Sequence, residues 1–181
     1  MRTLYIDTHL NDLDIILFED NNIIKEEHVI NKHNNSTLLM PSIEKVIGNE
    51  SYDEILVVNG PGSFTGVRLG VTVAKTLAYT MNKKIKCVNY LDVMHTSSES
   101  DICAFSDGNG WYLKDYTNNK LAYLKNKEYQ EYIQNRKVVT EVTIDYKKLF
   151  DFTKTLDYTT SHAVNPIYIK KIGVEENDSK N

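Results

Sequence analysis

The residues Gly60-Pro61-Gly62-Ser63-Phe64-Thr65-Gly66 constrain their own backbone more than any other stretch of this chain. Three glycines and a proline stand between an apolar run ending at Val58 and a helical pattern starting near Val67. A strand, a glycine loop and a helix in that order present backbone N–H groups to an anion, because glycine lets another group approach closely. The same arrangement serves equally as a tight turn with no ligand. It is not a P-loop: five residues separate Gly60 from Gly66, and Val67-Arg68 stand where Lys-Ser/Thr would be required. It is not a dinucleotide fingerprint, since Gly60, Gly62 and Gly66 do not fit G-x-G-x-x-G. Ser63 lacks the second glycine of a Gly-x-Ser-x-Gly nucleophile elbow, and no histidine is placed by sequence to activate it.

Asp7-Thr8 closes the first apolar run. A carboxylate there either holds a metal–nucleotide or is a solvated strand end. No glycine follows in Thr8-His9-Leu10-Asn11, so a phosphate is poorly accommodated against that backbone. The histidines are His9, His28, His33, His95 and His162; His28 and His33 are five apart, which does not put them on one helical face. No metal site is expected. Cys87 and Cys103 are isolated and read as reduced thiols of a cytoplasmic protein. Trp111, Tyr112 and Tyr116 could stack on a base, although alternating aromatics on a hairpin more often pair across strands. Gly66, Gly70, Ala74 and Ala78 recur every fourth residue and form a stripe of small side chains. Such a stripe allows close helix packing, against the protein's own sheet or against a second subunit. Val71, Leu77 and Met81 remain as a row for the core.

The elements that must position these residues are legible in the first half. Arg2–Asp7, Leu13–Glu19 and Ile23–Val29 read as three strands joined by short turns, an antiparallel meander. After a polar interval, Asn35 or Ser36 can cap a helix carrying Leu38, Leu39, Ile43, Val46 and Ile47, with Pro41 near its first turn. Tyr52–Val58 is a buried strand, Val67–Met81 a helix stopped by Asn82 and the lysines after it, and Ile85–Val88 a strand. Beyond Tyr90 the pattern weakens. Ile102–Phe105 and Trp111–Tyr116 form a hairpin around Asp107-Gly108-Asn109-Gly110. Leu121–Leu124 and Val138–Ile144 are further strands, Tyr146–Phe152 a short helix, and the tail from Gly173 is polar and frayed. The class is α/β or α+β, with a first lobe over 1–95 and a smaller second lobe over 96–181. With 41% hydrophobic and 25% charged residues in 181, the composition is that of a soluble globular protein. A net charge of −4 argues against a chain that grips nucleic acid unaided. No apolar run is long enough to span a membrane, and no secretion signal precedes the first strand.

GPGSFTGVRLG, followed by Ala74-Lys75-Thr76-Leu77-Ala78, resembles the signature of the TsaB (YeaZ) family. YIDT, LLMPSIEKV and NPIYIKK are similar to that family's corresponding segments. The resemblance covers residues 1–95 well and the rest thinly. It implies an actin / sugar kinase / heat-shock chaperone fold of two lobes, and a non-catalytic scaffold that activates a TsaD-type transferase. With a TsaE-type ATPase, that complex forms N6-threonylcarbamoyladenosine in tRNA next to the anticodon; this chain would meet tRNA only through the complex. The family docks through its first two helices, which carries the interface expectation onto Leu38, Leu39, Ile43, Val46, Gly66, Gly70, Ala74 and Ala78. The motif loop is Gly60, Pro61, Gly62, Ser63, Phe64, Thr65, Gly66 and Arg68, and Asp7-Thr8 are a vestigial phosphate loop. No cofactor is expected, ATP or ADP at the partner interface being the one nucleotide the fold leaves open. The TsaD branch carries an H-x-x-x-H metal pair that is absent here. Two departures stand out: the chain is shorter than members usually are, in the second lobe, and Phe105-Ser106-Asp107-Gly108-Asn109 lacks the arginine of the family's Asp-Ala-Arg segment. The rival readings are an M22-peptidase-like or nucleotide-hydrolysing enzyme of the same fold, and a homodimeric binding module.

Overall fold

A computed structural model describes residues 1–30 and 35–170. The polar interval 31–34, with His33, and the tail from Gly173 lie outside the described residues. Strands β1 (Arg2–Asp7), β2 (Leu13–Glu19) and β3 (Asn22–Val29) form the antiparallel meander that their turns predict. After helix α1 (Asn35–Ile47), strand β4 (Glu54–Val58) pairs parallel to β1. Helix α2 (Phe64–Thr80) then leads to β5 (Lys84–Val88), parallel to β4. The sheet order is β3-β2-β1-β4-β5.

The period-two alternation along β1, β2 and β4 sorts their side chains onto two buried faces. Leu4, Ile6, Leu13, Ile15, Leu17, Ile55 and Val57 pack under α1 and α2. Tyr5, Ile16, Phe18, Leu56 and Val58 point the other way, toward Val93 of α3 (Tyr90–Ser98) and Leu149 and Phe150 of α5 (Tyr146–Thr153). The first sheet is therefore the middle of three layers. Its second cover comes from late in the chain, because α5 has an apolar face and that side of β2–β1–β4 is otherwise bare. The chain then runs along the β5 edge. Thr159 N–H donates to the Ile85 carbonyl and Ile167 N–H to that of Asn59, while Val164 enters the α1–α2 core. Residues 144–168 are thus packed on the first lobe, not on the second.

The second sheet, β8-β7-β6-β9, comprises β6 (Ile102–Ser106), β7 (Trp111–Asp115), β8 (Lys120–Leu124) and the short β9 (Val138–Val139). Its hairpin turns where the Asp107–Gly110 signal places it. Helix α4 (Asn126–Tyr132) covers one side, with Tyr129 flat against Trp111 at 4.2 Å between ring centroids. Helix α3 joins the lobes: Val93 faces the first sheet, while Leu91 and Met94 pack with Cys103, Phe105 and Tyr112 of the second.

Several boundaries differ from the sequence expectation. Helix α1 starts at Asn35, so Pro41 lies inside it, past the first turn, where it has no N–H to give the preceding turn. Helix α2 starts at Phe64 because Ser63 is its N-cap, its hydroxyl accepting from Gly66 N–H at 3.0 Å. Of Val138–Ile144 only Val138–Val139 pair, on β6.

Candidate functional site

The glycine motif and the turn after β1 are built against each other. Ser63 N–H donates to the His9 carbonyl at 2.7 Å, and the Thr8 hydroxyl donates to the Gly66 carbonyl at 2.6 Å. A Cβ at Gly62 would collide with the His9 carbonyl, one at Gly66 with the Thr8 carbonyl, and one at Gly70 with the Thr8 hydroxyl. Gly60, at φ +115°, turns the chain so that its carbonyl accepts from Tyr90 N–H at 2.8 Å. The Gly60–Pro61 bond is cis. The glycines of the motif admit a neighbouring segment of this same chain.

Asp7 is buried, which corrects the expectation of a solvated strand end. Burial is tolerable because the carboxylate is paired. One oxygen accepts from His9 N–H at 2.9 Å and lies 2.7 Å from His9 Nδ1, and the other accepts from the Tyr5 hydroxyl at 3.2 Å. His9 in turn stacks on Tyr90 at 3.6 Å and meets the edge of Phe105 at 5.5 Å, so it sits at the junction of the lobes. Burial, with the nearby carboxylates of Asp7 and Asp14, raises the Tyr90 hydroxyl far above its ordinary value. The histidine count included His9 but gave it no role. An aspartate at a strand end with a histidine two residues later was the available signal.

These residues do not fit a nucleotide phosphate. The turn after β1 gives the His9 carbonyl and the Thr8 hydroxyl to the 63–66 segment, Asp7 is held by Tyr5 and His9, and no glycine opens the backbone. Among the described residues no group of three or more His, Cys, Asp and Glu is placed to hold a metal ion. Burial pushes the Cys87 thiol up to about 11 and the Cys103 thiol upward as well, which disfavours their thiolates. Ser63 is a helix cap. The aromatics of the second lobe are spent on one another: Trp111 on Tyr129, Tyr112 beside Phe105 and Tyr123, and Tyr116 on His95.

The expected interface residues sit inward. Gly66, Gly70, Ala74 and Ala78 are all buried, against Thr8 and the first sheet, and so are Leu39, Ile43 and Val46; Leu38 is half-buried. The small-residue stripe therefore packs on the protein's own sheet, because a turn as close as Thr8-His9 leaves no room for larger side chains. The motif's outward residues are Phe64, Thr65 and Arg68, with the Arg68 guanidinium 4.2 Å from the Phe64 ring centroid. Beside α1, α2 shows Thr65, Thr72 and Thr76 to solvent, with Leu69, Val73 and Leu77 half-covered; α1 adds exposed Met40 and Pro41.

In the second lobe, Asp107 organises the turn. It accepts from Asn109 and Gly110 N–H and from the Tyr123 hydroxyl, and it pairs with Lys170 at 2.7 Å. Burial would raise its carboxyl, but Lys170 and those donors outweigh it and hold it below the usual carboxylate range. Asp115 is fully buried and answers to Arg136 through both oxygens, to the Tyr132 hydroxyl, and to Asn118. The Arg136 guanidinium holds its carboxyl far below the ordinary range.

A family model described as "TsaD: tRNA N6-adenosine threonylcarbamoyltransferase" matches residues 23–151. The "tRNA threonylcarbamoyladenosine biosynthesis protein TsaB" of Bacillus subtilis (strain 168) is 36% identical over 99 residues, covering 52% of this chain and 43% of that protein. The match thus spans less than half the length of that relative. Two solved structures share the fold. One, described as an uncharacterized protein with similarity to peptidase YEAZ from Pseudomonas aeruginosa, has a TM-score of 0.71 at 15% identity, over 93% of this chain and 99% of that one. The other, YeaZ from Pseudomonas aeruginosa, has a TM-score of 0.68 at 14% identity, over 92% and 99%. No helix among the described residues is long and apolar enough to cross a membrane.

Proposed function

The chain belongs to the TsaD-type threonylcarbamoyltransferase family, on its TsaB (YeaZ) side, and from that premise we propose that it is a non-catalytic scaffold of tRNA modification. In this reading it pairs with a TsaD-type transferase and activates formation of N6-threonylcarbamoyladenosine next to the anticodon, with a TsaE-type ATPase completing the set. The observation that carries the reading is the seal between the turn after β1 and the glycine motif. The Thr8 hydroxyl, a donor that could meet a phosphate, bonds to the Gly66 carbonyl instead, while the His9 carbonyl accepts from Ser63 N–H and Asp7 is held by Tyr5 and His9. A chain that spends those groups on itself has surface, not chemistry, to offer.

The surface that suits a partner is the outward seam of α1 and α2, where Met40, Pro41, Thr65, Thr72 and Thr76 surround the half-covered Leu69, Val73 and Leu77. Apolar residues bordered by threonines and by the exposed Met40 and Pro41 can be desolvated by a second helical pair at little cost. The test is reconstitution with a TsaD-type transferase, a TsaE-type ATPase, tRNA and threonylcarbamoyl-adenylate. The chain alone is expected to be inert, to form a stoichiometric complex with the transferase, and to raise modification. Thr72→Glu with Thr76→Glu should abolish complex and activation while leaving the melting temperature near wild type. ATP turnover by the isolated chain, or activation without a complex, would overturn the reading.

A further inference from the structure

The charge of this chain is unevenly placed. Residues 55–91 contain five Lys/Arg and no Asp or Glu, and residues 158–170 contain one and none. The rest of the chain holds fifteen Lys/Arg against twenty-five Asp/Glu. These two carboxylate-free segments lie side by side. Besides the Ile85–Thr159 and Asn59–Ile167 backbone bonds, Asn59 donates to the Asn165 carbonyl at 3.1 Å, Tyr79 meets His162 at 5.5 Å, and Phe64 meets Tyr168 at 5.4 Å.

Every exposed Phe or Tyr ring among the described residues is on this surface: Phe64 at 46%, Tyr79 at 69%, Tyr158 at 44% and Tyr168 at 49% exposure. Cations are set over or beside them. The Arg68 guanidinium covers Phe64, and the Lys84 ammonium stands 4.8 Å from the Tyr158 ring centroid. Elsewhere several cations are paired with carboxylates, Arg2 with Glu19 and Glu50, Lys45 with Glu27, Lys114 with Asp92 and Arg136 with Asp115. Among the described residues, Arg68, Lys75, Lys83 and Lys84 form no ion pair with a carboxylate. Of the cations near Tyr158, Lys86 is excluded because it is buried beside Glu54. Phe64, Arg68, Lys75 and Tyr79 follow one row of α2 over about 22 Å. That row faces the 158–170 segment and is distinct from the threonine seam beside α1.

We propose that this flank of α2, with the 158–170 segment, binds a single-stranded polynucleotide. Unpaired bases stack on Phe64, Tyr79, Tyr158 and Tyr168, and phosphates lie on Arg68, Lys75, Lys83 and Lys84. Interleaved exposed rings and unpaired cations recognise a strand whose bases are free, whereas a purely charged partner would use the cations and leave the rings idle. The large negative charge of the remaining surface repels the strand and confines it to this flank. The site does not rest on the partner role and is open in the chain by itself.

The test is binding of the full chain to a fluorescent oligouridylate of about a dozen nucleotides at low and moderate salt. Affinity should fall with salt. Tyr79→Ala should weaken binding about tenfold, the scale of one base stacked on a ring, with melting unchanged because that ring is mostly in solvent. Lys83→Gln with Lys84→Gln should lower the slope of log affinity against log salt by about 0.7 for each phosphate no longer neutralised. The same sequence as DNA distinguishes the sugar, and binding of either strand supports the site. No binding at low salt would overturn it. So would equal competition by duplex RNA, polyphosphate or polyglutamate, or a Tyr79→Ala chain that binds as wild type.

Discussion

Two sides of one helix carry different jobs in this molecule. Inward, Gly66, Gly70, Ala74 and Ala78 let α2 approach β1 and its turn so closely that a single added carbon would collide with Thr8 at Gly70. Outward, the same helix shows Phe64, Arg68, Thr72 and Tyr79, whose removal leaves the core untouched. The sequence feature that looks most like an interface, the small-residue stripe, belongs to the packed side. What is left for partners is the less patterned side. Periodicity reports that a helix face is distinctive, and the residues around it decide what covers that face.

Variants at the two sides should separate sharply. The largest effect is expected at Gly70. Gly70→Glu should prevent stable folding of the first lobe, and Gly70→Ala should cost about 1–3 kcal/mol as overpacking. Adding Thr8→Ala removes the hydroxyl and methyl that the new Cβ meets. Denaturant melts of the two single variants and the double should therefore give a cost below the sum.

Next in size is the second lobe, where a buried polar anchor is the feature to test. Asp115→Ala should cost about 3 kcal/mol by leaving Arg136 and Tyr132 without their partner in a buried setting. Its pH behaviour follows from the depressed carboxyl. The anchoring contribution is fully present above the unfolded value near 3.8 and is lost as pH falls through and below it. The gap between the thermal melts of wild type and Asp115→Asn should stay constant above about pH 4 and narrow progressively as pH falls below it. Convergence at neutral pH would contradict the anchor.

A smaller effect is expected where Lys170 is tied to the hairpin. Lys170→Met breaks a partly exposed pair with Asp107 and should cost under about 1 kcal/mol. Smallest of all, Thr72→Glu with Thr76→Glu should leave stability within about 0.5 kcal/mol, as exposed surface positions do. Their effect should appear only when a partner is present.

Much of the first lobe was legible. The bounds of β1 and β2 follow from their apolar runs and from the turn at Asp20-Asn21, and the glycine motif leads from β4 into α2, although its Phe64–Gly66 half already forms the first turn of that helix. The second half was less so, for physical reasons. Helix α3 is nine residues of mixed polarity, with Asn89 accepting from Leu91 N–H as its cap, too short for a periodic signal to stand out. Helix α4 is shorter still. The return of α5 and of the 158–168 stretch to the first sheet is long-range, and no local pattern encodes which sheet a late apolar face will cover. For the site, spacing alone placed the glycines but not their neighbour, so the collision partners Thr8 and His9 emerged only from the fold. The burial of Asp7 likewise depended on His9 and Tyr5 closing over it.

The scaffold reading is tested most directly by sedimentation of the chain with a TsaD-type transferase, followed by assay of tRNA modification on the same samples. The account predicts a one-to-one complex that modifies tRNA faster than the transferase alone, and loss of both with Thr72→Glu and Thr76→Glu in a chain that still melts as wild type. A folded double variant that still pairs and activates would contradict the outward seam, and a wild-type chain that neither pairs nor activates would contradict the scaffold itself.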